Sequence, residues 1–432
     1  MTKRPRSHNL IHLKKEETVA TYTPKVRTQP PASKPGGVTA LKHRFARRMS
    51  NMSVSAVREI LKVTERPEII SFAGGLPAPE LFPVAEIARA HAQVFEEDGP
   101  AALQYSTTEG WRPLREWIAA RMRQRGMAAD ADRVLITTGA QQAIDLVGRV
   151  FLERGDKVVV EDPSYLAALQ AFSAYEATPI PVESDDEGMR VDHVEEVLAQ
   201  SPKLIYIVSE FSNPKGTTLS AQRRSRLIDL SRRYGVPILE DNPYSELRYA
   251  GVAPEPLAAL DHDGMVIHVG TFSKTLSPGM RIGWLLAAEP IFKQAVIAKQ
   301  PADLHTSTVE QRAAARLLQD FDYDGHVRLL CQVYGERCKT MRDALERHFP
   351  AGTRWTKPDG GLFLWVELPE TVSAEEMFQD ALREHVAYVP GTSFFAGTPR
   401  FNFMRLNFSN QKPEMINEGI KRIGALLKRR IQ

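Results

Sequence analysis

Lys274 lies in GTFSKTLSPGMRIGW, residues 270–284, between the apolar runs MVIHV (265–269) and WLLAA (284–288). A lysine forms a Schiff base with an aldehyde, and burial beside a cation lowers its pKa so that it also acts as a base. Thr271 and Ser273 add hydroxyls, and Arg281 adds a guanidinium suited to phosphate. In VPILEDNPYSEL, Glu240 and Asp241 close an apolar run and Tyr244 follows. A carboxylate at a buried strand end needs a salt bridge, a helix to cap, or a ligand cation such as a protonated heterocyclic nitrogen.

Three further segments carry polar groups at similar places. Asn213 precedes Pro214 in SNPKG; it marks a turn and also offers an amide at a sheet edge. Thr138-Gly139-Ala140-Gln141 joins a strand to a helix. Its free first-turn N–H groups make either an ordinary turn or an anion site. Arg405, inside the apolar FMRLNFS, requires an internal acid or a substrate carboxylate as partner. Hydroxyls, an arginine and a glycine-turned helix suit a phosphate, whereas a lysine, an aspartate and a tyrosine suit a pyridine aldehyde. Together the set fits pyridoxal 5′-phosphate, and no one segment alone would do so.

The elements that position these residues alternate. VLITT (134–138), KVVVE (157–161), LIYIVS (204–209), VPILE (236–240), MVIHV and WLLAA read as buried strands, with a helix over 140–155 after the first. Such strands suit a mostly parallel sheet covered on both faces, hence an α/β fold. After residue 301 a helical period runs over 309–349, then strands over 361–368 and 403–409 flank a helix near 374–385, and a last helix covers 414–428. A helix over 53–64 precedes the first strand.

With 432 residues, 43% apolar and 25% charged, the chain is long enough for about two domains of a soluble globular protein. No apolar run reaches the ~18–20 residues of a membrane span. Cys331 and Cys338 form no CxxC pair, no zinc-type ligand set is present, and a reducing, cytoplasmic setting is expected. Residues 1–48 hold twelve Lys/Arg against two Glu, leaving a net acidic body within the overall charge of +3. Residues 1–40 are therefore expected to be a disordered, basic, proline-rich extension that solubilises the chain and binds no nucleic acid.

The motifs, in this order, resemble fold-type I pyridoxal-phosphate aminotransferases of class I/II. SFAGGLPAPELFP (71–83) and SKTLSPGMR (273–281) are similar to the branch of 2-aminoadipate and kynurenine aminotransferases. The resemblance covers nearly all of the chain from about residue 53. It implies a large cofactor-binding domain over 76–305, a small α+β domain over 306–432, and an arm over 41–75 that packs on the small domain and the substrate pocket. Lys274 would hold the cofactor covalently and shuttle a proton, and Asp241 would pair with the pyridinium nitrogen. Asn213 and Tyr244 would bind the 3′ oxygen and Tyr165 would stack on the ring. Ala140, Gln141, Thr271, Ser273 and Arg281 would grip the phosphate, and Tyr105 would reach the phosphate of a second subunit in a homodimer. Arg405, with Asn213, would take the α-carboxylate. Gly75 would line the pocket, and Arg58 would read a distal carboxylate, unless it is only a solvated helix arginine. The implied reaction exchanges an amino group between an L-amino acid, 2-aminoadipate-like or broadly aromatic and aliphatic, and a 2-oxo acid such as 2-oxoglutarate. Elimination or decarboxylation on the same scaffold is the alternative. A transcription regulator would need an N-terminal winged helix that the proline-rich extension cannot form. Lys215 replaces the threonine usual in the family's NPTG turn and places a cation near it.

Overall fold

Val/Ile-rich runs buried along their whole length form strands that are covered on both faces. The computed structural model describes residues 44–50, 52, 54, 56–63 and 66–431; the expected basic extension, residues 1–40, lies outside them. Helix α1 (Ala56–Val63), strand β1 (Ile70–Ser71), α2 (Val84–Ala102) and α3 (Arg112–Gln124) precede the large sheet. That sheet comprises β2 (Val134–Thr137), β3 (Lys157–Asp162), β4 (Thr178–Asp185), β5 (Gly188–Met189), β6 (Leu204–Ile207), β7 (Ile238–Asp241), β8 (Val266–Thr271) and β9 (Gly283–Leu286). Its order is β2-β9-β8-β7-β6-β3-β4-β5. The run from β8 through β7, β6 and β3 to β4 is parallel, whereas β9 runs against β2 and β8, and β5 against β4.

Parallel neighbours need long crossovers. Helices α4 (Ala140–Phe151), α5 (Leu166–Ser173), α6 (Val194–Leu198), α7 (Ala221–Tyr234) and α8 (Leu257–Leu260) lie in these connections. Strand β4 escapes a reading by apolar runs for a physical reason. TPIPVESD carries two prolines and alternates exposed with buried positions near the sheet's edge, so it never presents an apolar run.

Helix α9 (Glu289–Asp303) leads out of the sheet to α10 (Thr308–Asp320) and α11 (Tyr323–His348). The single helical period expected over 309–349 is thus two helices. Asp322 restarts the helix by accepting a hydrogen bond from Gly325 N at 2.8 Å, which satisfies one free first-turn donor. Beyond α11 come β10 (Arg354–Trp355), β11 (Phe363–Glu367), α12 (Ala374–Arg383), β12 (Val386–Ala387), β13 (Val389–Pro390), β14 (Phe403–Asn407) and α13 (Pro413–Ile431). An antiparallel sheet of order β10-β11-β14-β13 results, with Arg405 opposite Trp365 on one side and Val389 on the other. β1 pairs in parallel with β12. Phe72 N donates to Ala387 O at 2.8 Å and Asn407 N to Phe72 O at 2.9 Å, so the segment after β1 runs along the small sheet.

One continuous apolar cluster joins α4 and the inner face of the large sheet, through Phe72 and Tyr334, to Leu364, Met404 and Ile420 of the smaller layer. A second fills the other face between β6, β7, α6 and α7. A tight backbone approach lies beside the site. A Cβ at Gly283 would stand 2.6 Å from Gly139 C and 2.7 Å from Ala140 N. Gly283→Ala is expected to destabilise the fold by about 1–3 kcal/mol, read as a melting temperature lowered by several degrees. An unchanged melting temperature would mean that β9 and the head of α4 part freely.

Candidate active site

Because β2, β3, β6, β7 and β8 run the same way, their carboxyl ends meet at one sheet edge, where open α/β sheets bind ligands. That edge carries Thr138, Tyr165, Asn213, Asp241 and the loop from Thr271 to Lys274.

Asp241, at the end of β7, is 2% exposed. Its Oδ2 accepts a hydrogen bond from Tyr206 at 2.9 Å, whereas Oδ1 is buried with no partner among the described residues. Burial raises its pKa to about 6 against the opposing effects of the Tyr206 hydrogen bond and the Lys274 charge. Lys274 Nζ donates to Gly75 O at 2.8 Å. Burial first, then the charges of Arg405 and Arg281, bring its amine down to about 8. Glu240, one residue before Asp241, has the opposite character. It accepts from Ser209, from the Leu257 and Ala258 amides at the head of α8, and pairs with His268 at 3.0 Å. Burial opposes its charge, yet these partners and Arg224 hold it down to about 2. The salt bridge and helix cap anticipated for this segment belong to Glu240, and Asp241 is left open.

Arg405 is 2% exposed on β14. Its guanidinium donates to Asn213 Oδ1 at 2.7 Å and to Ala73 O at 2.6 Å, and lies 4.3 Å from the Phe363 ring centre. No carboxylate among the described residues is within ion-pair distance of it, and its Nε has no partner. Burial lowers its pKa to about 10. Asn213 also hydrogen-bonds Tyr244, whose phenol burial pushes upward. One amide therefore touches both Arg405 and Tyr244.

The remaining residues form a cup at the head of α4. Gly139 caps that helix with φ 76° and no side-chain hydrogen bond, leaving the Ala140 and Gln141 end of the helix open. A Cβ there would collide with Arg281 Nη2, so glycine lets the guanidinium close over the turn. Arg281 donates to Thr138 O at 3.1 Å. Thr271 Oγ1 donates to Ile282 O at 2.9 Å and lies 2.9 Å from Ser273 Oγ, so the two hydroxyls are locked together. The side chain of Gln141 reaches Ala167 O at 2.9 Å and leaves its backbone to the cup.

Tyr165 heads α5, and burial pushes its phenol up to about 12 while the charges of Asp241, Arg405, Arg58 and Arg281 all act on it. Arg58 is exposed on α1, and among the described residues it joins the cluster through that electrostatic reach. Tyr105 is 77% exposed with His305 at its ring edge. No hydrogen bond among the described residues ties it to Lys274 or Arg281. The Lys215 ammonium donates to Ser184 O at 2.6 Å and Asp185 O at 3.0 Å. Its charge is thus committed to the β4–β5 turn instead of the Asn213 amide. Sequence reasoning misses Tyr206, which sits inside the apolar run LIYIVS and looks like a core residue. Its only signal is a phenol at strand depth beside a carboxylate strand end.

A family model for class I and II aminotransferases matches residues 68–423. The chain is 45% identical over 392 residues to aromatic-amino-acid aminotransferase 1 of Thermococcus litoralis, covering 89% of this chain and 94% of the relative. It superposes on a Pyrococcus horikoshii kynurenine aminotransferase in complex with PMP with a TM-score of 0.87 at 42% identity, over 91% and 98% of the two chains. An α-aminoadipate aminotransferase of Thermus thermophilus, complexed with N-(5′-phosphopyridoxyl)-L-leucine, gives a TM-score of 0.85 at 40% identity over 90% and 98%.

The residues present fit pyridoxal phosphate. The orphaned Oδ1 of Asp241 calls for a cationic N–H, and the open head of α4 under Arg281 calls for an anion. The first of these gives a stability prediction. With its folded pKa raised, Asp241 destabilises the cofactor-free fold above about pH 6 and ceases to do so as pH falls toward about 4. Asp241→Asn should therefore stabilise cofactor-free protein by on the order of 1–3 kcal/mol at about pH 8, with the gain shrinking toward about pH 4. Urea unfolding at both pH values measures this, and a loss at the higher pH would contradict it.

Proposed function

The chain belongs to the class I and II aminotransferases and is a pyridoxal-phosphate-dependent transaminase, and from that premise we propose that it moves the amino group from an L-amino acid to 2-oxoglutarate. The donor set is broad, taking aromatic and aliphatic side chains as well as 2-aminoadipate. The observation that carries this reading is Arg405, a buried cation held by two neutral acceptors and left without a counter-charge among the described residues. An α-carboxylate, common to every amino acid and 2-oxo acid, supplies the missing charge as a two-point partner. The named specificities of the relatives, aromatic, kynurenine and α-aminoadipate, support a side-chain pocket that is not narrowly selective.

When bound, pyridoxal phosphate supplies an aldehyde for amines and a ring that accepts the electrons released at the amino acid's Cα. The chain does the rest. Asp241 keeps the proton on the ring nitrogen. Tyr244 and Asn213 donate toward the ring oxygen, and Tyr165 covers the ring. Ala140 and Gln141 amides, the Thr271 and Ser273 hydroxyls and Arg281 grip the phosphate. Lys274, with an amine near 8, moves the proton at the substrate's Cα. Gly75 O fixes its Nζ and lines the pocket.

Tyr105 and Leu103 are 77% and 72% exposed on the segment between α2 and α3, and Leu304 is 54% exposed beside His305. This apolar surface supports a homodimer in which Tyr105 reaches the phosphate held by the second copy. The free cysteines Cys331 and Cys338 support a cytoplasmic setting.

Lys274→Ala should abolish both transamination and the covalent cofactor absorbance, and a variant with full turnover would sink the assignment. Arg58 is read as the contact for a distal carboxylate. Arg58→Ala should raise KM for 2-aminoadipate by roughly fivefold to tenfold, about 1 kcal/mol, while leucine and phenylalanine change little. Equal effects on all three donors in a half-reaction screen would remove Arg58 from substrate selection.

A further inference from the structure

Lys299, on the last turns of α9, has a side chain with no solvent exposure. Its ammonium donates to Asp303 Oδ1 at 2.6 Å, Asp303 Oδ2 at 2.7 Å and Gln142 Oε1 at 3.0 Å. Apolar side chains of similar volume often serve stability as well as a buried ion pair does, so stability alone does not account for a lysine at this depth. The remaining bonds of the cluster say what that is. Gln142 Nε2 donates to Asp303 Oδ2 at 2.7 Å, and Gln142 Oε1 accepts from Thr138 N at 2.8 Å. Thr138 Oγ1 donates to Asp303 Oδ2 at 3.2 Å, and Thr138 O accepts from Arg281. Every polar atom of Thr138 is thereby held, its N and Oγ1 by groups that reach back to Lys299.

Thr138 is the residue from which the chain turns through Gly139 into α4. The direction of the first-turn N–H groups is set there. We infer that the Lys299–Asp303 pair is a positioning element for the cofactor phosphate: it fixes the β2–α4 turn so that the helix amides and Arg281 converge on one point. The inference rests on the proposed seating of the phosphate at that turn. A donor set fixed before binding loses less freedom on binding, which appears chiefly as slower release. The reactive end of the cofactor site, with Lys274, Asp241 and Arg405, takes no bond from this cluster among the described residues.

The test uses holoenzyme of two variants. Lys299→Met removes the cation. Lys299→Met combined with Asp303→Leu removes both charges and leaves no lone half-buried carboxylate, so it keeps a folded control if the single variant is unstable. Release of the cofactor is followed by its absorbance after dilution into a trapping agent. The pH midpoint of the visible band is measured on the same samples, and reports the groups around Lys274. Release is expected to quicken roughly tenfold to hundredfold in both variants, with the midpoint unmoved to within about a third of a pH unit. Release at the wild-type rate overturns the inference, and so does a midpoint that moves together with release, which would signal general disruption of the fold. Arg281→Ala, run alongside, separates the two readings. If it too releases cofactor at the wild-type rate, the phosphate is not seated at this turn; if it alone releases faster, the seating stands and the role of Lys299 falls.

Discussion

Charge buried without its counter-charge is the constraint on which the rest of the structure depends. Asp241 and Arg405 are taken out of water at the junction of the two sheets and Lys274 is mostly so, and among the described residues each is left short of an ionic partner. An unpaired charge at such depth costs several kcal/mol unless something fills the gap. Glu240 shows that the same strand end can satisfy a carboxylate fully, with two amides, a serine, a histidine and an arginine around it. One residue further on, Asp241 has a single phenol as its partner among the described residues. The difference between neighbours on one strand separates a fully partnered acid from one that keeps an oxygen open.

The fold imposes this arrangement by bringing unrelated segments to one edge. Parallel strands deliver Asn213, Asp241 and Thr271 at their carboxyl ends, and the reversed β9 brings Arg281 back across the head of α4. The small sheet contributes Arg405 from mid-strand, where a charged side chain would otherwise be out of place. The segment after β1 closes the circuit. It is hydrogen-bonded to β12 and β14 through Phe72, gives Ala73 O to Arg405, and two residues later gives Gly75 O to Lys274. A shift of the smaller layer against the larger one must therefore pass through this segment and reach both cations.

What is legible in the sequence follows the same logic. Polar residues interrupting or ending apolar runs, such as Asp241, Lys274 and Arg405, announce themselves because nothing in a core explains them. The strands with continuous apolar runs are equally plain, whereas β4 is hidden by its prolines and one-sided burial, and the 309–349 period conceals the break at Phe321–Asp322. Tyr206 and Lys299 are illegible for a different reason. A tyrosine in a strand and a lysine in an amphipathic helix are ordinary residues, and their roles arise only from which atoms the fold places opposite them. Lys215 errs the other way: its charge is visible in the NPKG turn, but not that two backbone carbonyls absorb it. Partners at a distance of one or two side chains are set by packing and carry no local pattern.

Asn213 ties the two halves of the site into one unit. Its amide oxygen accepts from Arg405 while the same side chain bonds Tyr244, so the buried cation and the buried phenol share one rigid intermediary. A carboxylate in place of that amide would neutralise Arg405 and remove its demand for a partner. A shorter side chain would release the guanidinium from its position over Phe363. A neutral acceptor of this length orients the cation without satisfying it. Among the described residues Arg405 therefore remains both placed and unpaired, the combination that the proposed binding of an exchangeable carboxylate requires.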